Sequence, residues 1–256
     1  MCLIYLAHRV DPFYRLVVAA NRDEYHQRPS APAAWWQDGS GILAGRDLQA
    51  GGTWMGITRG GRFAAITNYR DPARHRADAA SRGHLVSGFL GGAEPALDYL
   101  ARIARDGERY NGFSLLVHDG TTLAFYSNRG GAPEAVAPGV HGLSNHLLDE
   151  PWPKVEEGKL DLLGMLARGA ATPAGRLGLL DRREPAAAGT LPETGVGRVH
   201  ERVLSPRFIL GSQYGTRCSS IIMVDADGEV LFRERSFDAA GEARGDEVHS
   251  FRIEHR

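Results

Sequence analysis

Strand-length apolar runs closed by turn pairs stand at both ends of the chain, with helical patterning confined to the middle. This order restricts the fold more than any other feature. Cys2 to His8 and Leu16 to Ala20 are two such runs, and Asp11-Pro12 between them predicts a hairpin that folds the second run back beside the first. Trp54 to Thr58, Phe63 to Thr67, Phe113 to His118 and Thr122 to Tyr126 read as further strands of a meander. Near the end, Ser219 to Val224 and Glu229 to Arg233 bracket Asp227-Gly228, a strong hairpin signal. Helical spacing predicts helices over Gly83 to Leu90, Glu94 to Arg105 and Lys154 to Ala167. Hairpins on both sides of a helical block favour one α+β domain over residues 1–256 rather than a doubly wound parallel sheet.

Charge and composition then remove several classes of function. The 256 residues carry 30 Lys and Arg against 31 Asp and Glu, a net charge of -1, which argues against a general nucleic-acid binder. No apolar run approaches the roughly 18 residues of a membrane-spanning helix, and the start has no basic head followed by an apolar stretch, so a cytoplasmic protein without stable membrane insertion is expected. Two cysteines, Cys2 and Cys218, are too few for a disulfide framework, and without a CxxC pair no metal site is expected.

Cys2 carries the most chemical information. Removal of Met1 would leave a thiol and an α-amine on one residue, and an α-amino pKa of about 7.7 to 8.0 suits that amine to accept the thiol's proton. The competing reading is a small buried hydrophobe. Asn21-Arg22-Asp23-Glu24 follows the second apolar run, so the hairpin carries it alongside Cys2, and alternation sends Arg22 and Asp23 to opposite faces. Asn68 ends a strand and Asn145 sits in Gly142-Leu143-Ser144-Asn145; each is a candidate oxyanion donor or a turn former. Arg217, just before Cys218, suits a substrate carboxylate or a thiolate, or a plain salt bridge. Trp35, Trp36 and Trp54 are candidate walls of an apolar pocket, and the Gly-rich stretch from Ala186 to Gly197 reads as a lid or a surface linker.

In order along the chain stand Met1-Cys2, Ala20-Asn21-Arg22-Asp23-Glu24-Tyr25, Arg28-Pro29, Gly51-Gly52-Thr53-Trp54-Met55-Gly56-Ile57, Thr67-Asn68-Tyr69, Leu143-Ser144-Asn145 and Tyr214-Gly215-Thr216-Arg217. With these motifs the chain resembles, nearly end to end, the NRDE family, which includes the transport-and-Golgi-organisation proteins. The resemblance implies the four-layer αββα sandwich of N-terminal nucleophile (Ntn) hydrolases. Among enzymes, the nearest look-alikes are penicillin V acylases and bile salt hydrolases. By that likeness Cys2, Arg22, Asp23, Asn68, Asn145 and Arg217 form the catalytic set, with Trp54, Tyr69 and Tyr214 at the substrate. Those enzymes separate Arg from Asp by two residues, whereas Arg22 and Asp23 are adjacent here, which leaves Glu24 as a rival carboxylate. The expected activity is hydrolysis of a non-peptide linear amide or acyl substrate, on a small and partly apolar ligand, with no required cofactor. The alternative is a non-catalytic carrier of haem or an acyl lipid, since relatives are linked to haem trafficking.

Overall fold

The computed structural model describes residues 2–168 and 173–254. Its first half runs β1 (Cys2–His8), β2 (Tyr14–Tyr25), β3 (Ser30–Trp35), β4 (Ile42–Asp47), β5 (Met55–Thr58), β6 (Phe63–Asn68), α1 (Gly83–Leu90) and α2 (Ala96–Arg105). Then follow β7 (Phe113–His118), β8 (Leu123–Ser127), β9 (Glu134–Ala135), β10 (Gly139–Leu143), α3 (Pro153–Ala167), α4 (Pro173–Leu180) and α5 (Arg198–Val203). The chain closes with β11 (Tyr214–Asp225), β12 (Glu229–Phe237) and β13 (Ala243–Arg252). The fold is α+β with two antiparallel sheets, one ordered β10-β1-β2-β11-β12-β13 and the other β3-β4-β5-β6-β7-β8-β9.

Strand alternation sorts the apolar side chains into separate cores. Even-numbered Ile4, Leu6, Leu16, Val18 and Ala20 meet Leu43, Ile57, Phe63 and Leu116 of the other sheet. Odd-numbered Leu3, Tyr5, Ala7, Val17 and Ala19 turn the other way, to Leu162 of α3 and to Leu177 and Leu180 of α4. The outer face of the seven-stranded sheet is covered by Leu85, Val86 and Phe89 of α1 and Tyr99, Leu100 and Ile103 of α2. Each core excludes water from two faces at once, and apolar burial of this kind is the main favourable term in folding.

The terminal hairpins lie where the apolar runs predict, and β1, β7 and α1 have the bounds read from the sequence. The central strands of the six-stranded sheet reach further. β2 continues through Asn21, Arg22, Asp23 and Glu24, and β11 begins at Tyr214, so the polar run is paired strand rather than a solvated strand end. Strands β3, β4, β9, β10 and β13 lie outside the apolar runs read as strands. β13, Ala243–Arg252, is a mostly exposed charged edge strand, which hydrophobic patterning cannot detect.

Candidate active site

Register and parity place the first site residues. Cys2 stands opposite Arg22, and Arg22 stands opposite Cys218 on its other side. All three belong to the parity that faces the second sheet. Asn21 and Asp23 take the opposite parity, and Asn21 donates from Nδ2 to the carbonyls of Leu180 at 3.0 Å and Arg207 at 2.8 Å on the helical side.

A β-bulge completes the arrangement. Thr216 pairs with Asp23 and Cys218 pairs with Arg22, which leaves Arg217 as the extra residue without a partner opposite. In a regular strand residues 216 and 218 would share a face. The bulge instead lets Thr216 Oγ1 donate to Asp23 Oδ1 at 2.7 Å while Cys218 joins Arg22 on the inner face. Arg217 is held by Nη1 donating to the carbonyls of Tyr25, His26 and Arg28 at 2.9, 3.2 and 3.2 Å.

These residues open onto a cleft of about 720 Å³ at the end of the space between the sheets. Cys2, Arg22, Asp23, Asn68, Arg217 and Trp54 all line it. Cys2 is 8% exposed. Burial pushes its thiol pKa up and the nearby Asp23 adds to this, against the opposing influence of Arg22 and of a hydrogen bond from the Asp23 backbone. Burial likewise raises the Asp23 carboxyl, opposed by Lys154 and by the Thr216 hydroxyl.

The remaining predicted residues sit at or behind the wall. Asn145 is fully buried in the left-handed region, φ 56°, a conformation Asn tolerates, and its Nδ2 donates to the carbonyl of Asn68 at 3.1 Å. It braces Asn68 and is not part of the cleft lining. Tyr214 donates to the Asp23 carbonyl at 3.0 Å, and the Tyr69 hydroxyl meets His146 Nε2 at 2.6 Å; neither lines the cleft. Glu24 does line it, 4.0 Å from both Arg22 and Arg28. Asp23 is the buried carboxylate on the helical face and Glu24 the one beside the arginines, so the two rivals occupy different surroundings.

Two expectations are corrected. The stretch from Ala186 to Gly197 is no lid over this cleft: it contributes no lining residue, and Thr194 is tied through N and Oγ1 to Glu201 of α5 at 2.8 and 2.6 Å. Trp35 and Trp36 are also absent from the wall. Trp35 packs edge-on against Phe251, and Trp36 lies under the Arg46 guanidinium with Nε1 donating to the Ala44 carbonyl.

Lys154, Arg82 and Glu234 escape a reading based on motifs. Lys154, in the first turn of α3, is buried and donates to the Leu204 carbonyl at 2.9 Å. Burial, helped by Arg70, lowers its pKa to about 8, while Asp23, Cys2 and Glu201 oppose that fall. Its signal in the sequence is a lysine at a helix N-terminus, where the helix dipole disfavours a cation. Glu234 is a buried residue of the cleft lining, accepting from the Ala33 N–H at 2.8 Å, Ser220 Oγ at 3.1 Å and Cys218 Sγ at 3.5 Å. Arg82 precedes α1, where Gly52 and Gly83 approach so closely that a Cβ on Gly52 would stand 2.6 Å from the Gly83 carbonyl carbon. That contact explains Gly52 of the Gly51-Gly52-Thr53-Trp54 motif, Gly51 being in the left-handed region at φ 78°, and Arg82 and Trp54 both stand in the cleft wall.

The profile of the family described as Transport and Golgi organisation 2 matches residues 1–239. The chain belongs to that family. It is 37% identical to the Bos taurus Transport and Golgi organization protein 2 homolog, an alignment covering 99% of this chain and 100% of the relative. The Mus musculus homolog is 38% identical, with 92% and 93% covered, and the Drosophila melanogaster Transport and Golgi organization protein 2 is 27% identical, with 92% of each covered. The family match spans every strand except β13, whose Arg244, Gly245 and Glu247 also border the cleft. No helix among the described residues is long and apolar enough to cross a membrane.

Proposed function

We propose that the protein is a cysteine Ntn amidohydrolase acting on a non-peptide linear amide, with Cys2 as the nucleophile after removal of Met1. The observation that carries this reading is the position of Cys2: on the first strand, opposite Arg22, on the floor of a cleft, with Asp23 and Lys154 close enough to act on it electrostatically. The succession of helices, sheet, sheet and helices given by the three cores supports an Ntn-hydrolase-like αββα sandwich.

In this mechanism the Cys2 Sγ attacks the amide carbonyl carbon while the α-amine of the same residue takes the thiol proton. The proton passes to the leaving nitrogen as the C–N bond breaks, which leaves a thioester on Cys2 and a free amine. Water, deprotonated by the α-amine, then attacks the thioester and releases the acid. Arg22 favours the thiolate, and Asp23, fixed by Thr216, orients the amine. Asn68 faces the developing oxyanion from the cleft wall and Asn145 holds it there. Arg217 adds positive potential at the same strand end.

Processed protein, incubated with a panel of N-acyl amides and followed by release of free amine, should show turnover that Cys2→Ser nearly abolishes, since a hydroxyl is a far weaker nucleophile at neutral pH. The rival reading, carriage of haem, is tested on the same samples by haemin titration. The described lining of the cleft offers the thiols of Cys2 and Cys218 and no imidazole to an iron. Stoichiometric haemin binding lost on Cys2→Ser, with no amide cleaved by the wild type, would replace hydrolysis by carriage.

A further inference from the structure

Six arginines line the cleft: Arg22, Arg28, Arg46, Arg82, Arg217 and Arg244. Three of them are neutralised locally, Arg28 by Asp47 at 2.6 Å, Arg46 by Asp38 at 3.7 Å and Arg244 by Asp238 at 2.6 Å. The other three are not. Arg22 has Glu24 only at 4.0 Å, which Glu24 shares with Arg28. Among the described residues no carboxylate lies within 4.0 Å of Arg82 or Arg217, whose hydrogen bonds go to neutral carbonyls: Arg82 Nη1 to Gly112 at 2.8 Å, and Arg217 Nη1 to Tyr25, His26 and Arg28.

A guanidinium has five N–H donors, and one carbonyl satisfies one of them. Keeping such a charge partly desolvated in a cleft wall costs free energy unless an anion arrives to match it. Arg82 is the member of this set that comes from the seven-stranded sheet's side of the cleft, just before α1 and next to the Gly52–Gly83 contact. Burial lowers its pKa while Glu24 and Cys2 oppose the fall, which places Cys2 within electrostatic reach of it.

We infer that Arg82, together with Arg217 in the same cleft wall, receives an anionic group on the substrate, a carboxylate or a phosphate carried near the scissile amide. Arg82 is a specificity residue and not part of the bond-breaking machinery. The substrate class is then an acidic N-acyl compound. For what the anion is attached to, this rests on the amidohydrolase reading; for the presence of an anion site it does not.

The test is equilibrium binding by calorimetry, on processed protein carrying Cys2→Ala so that no turnover intervenes. The probes are N-hexanoylglycine, its neutral methyl ester, and N-hexanoyl phosphoethanolamine. The account expects at least one acid to bind about tenfold or more tighter than the ester, the range of a charge-assisted hydrogen-bonded pair, with the advantage shrinking as salt is raised. Whichever acid binds tighter identifies the anion as carboxylate or phosphate. Arg82→Gln should cut that advantage below about threefold while leaving the ester's affinity unchanged, whereas Arg46→Gln, whose arginine is already paired with Asp38, should preserve it. Should Arg82→Gln fail to fold, Arg82→Lys, which keeps the charge but loses the planar fork, is expected to retain only part of the preference. Equal binding of acid and ester, failure of all three probes to bind, or a preference untouched by loss of Arg82 would overturn the inference. An amide panel left uncleaved by the wild type, beside an intact acid preference, would reject hydrolysis alone.

Discussion

Cys2 and Lys154 lie within electrostatic reach of each other, and burial of Lys154 makes its charge costly to keep. Its pKa is about 8 in the folded protein against 10.5 for a free lysine. Between those values the unfolded chain holds a proton that the folded one has lost, so stability rises as pH climbs through that window. Chemical denaturation from pH 7.5 to 10.5 should show wild-type protein gaining on the order of 2–3 kcal/mol relative to Lys154→Met. A constant difference between the two proteins across that range would mean that Lys154 is not a buried charge. Cys2 and Arg22 are legible in the sequence because the Asp11-Pro12 turn and strand alternation are local rules, and they set which residues meet. Arg217 is legible as a residue of interest, but its placement depends on a bulge that its own sequence does not announce. Lys154 and Arg82 reach the site through tertiary packing; the lysine at a helix N-terminus is a local oddity that does not say what it packs against, and nothing local points to Arg82.

At the scale of elements, the site depends on how closely α3 lies on β1. Gly158 makes that approach possible: a Cβ there would collide with the ring of Tyr5, which is fully buried and whose hydroxyl donates to the Lys154 carbonyl at 2.5 Å. Gly158→Ala should push α3 outward and cost roughly 1–3 kcal/mol by overpacking, in addition to disturbing Lys154. Thermal denaturation measures the loss; an unchanged melting temperature would show that the helix can slide without penalty. The same element shows why some structure is readable and some is not. Helix α3 is found from its apolar spacing as Lys154 to Ala167, and the structure adds Pro153 at its start, where proline's missing N–H costs nothing. By contrast β3, Ser30–Trp35, carries a proline at a register irregularity and no β-branched residue or polar alternation to mark it as a strand.

At the scale of the whole molecule, two sheets must stay stacked for the cleft to exist, and at the His8 end of β1 their contact includes a pair of histidines. His8 of β1 and His118 of β7 meet edge to face with ring centroids 5.8 Å apart. Burial, foremost, holds both pKa values at about 4 against 6.5 for a free imidazole; Arg9 adds to this at both, and His8 adds to it at His118. The unfolded chain therefore binds more protons between pH 6.5 and 4, and stability present above that window is lost as pH falls through it. Each imidazole contributes at most about 3 kcal/mol to that loss. The double variant His8→Leu, His118→Phe should flatten the acid limb of the stability curve; an unchanged limb would assign acid sensitivity to other groups. The stacking of two antiparallel sheets is foreshadowed by the hairpins at both ends, whereas the order of strands within each sheet is set by long-range pairing, such as β2 with β11, that no local signal encodes. The central claim, that all this architecture presents Cys2 as a nucleophile, is tested most directly by intact-mass and peptide mass spectrometry of processed protein treated with an activated N-acyl thiol-directed probe. The account predicts one acyl adduct, on Cys2, absent in Cys2→Ala and retained in Cys218→Ala; an unmodified Cys2, or modification confined to Cys218, would contradict it.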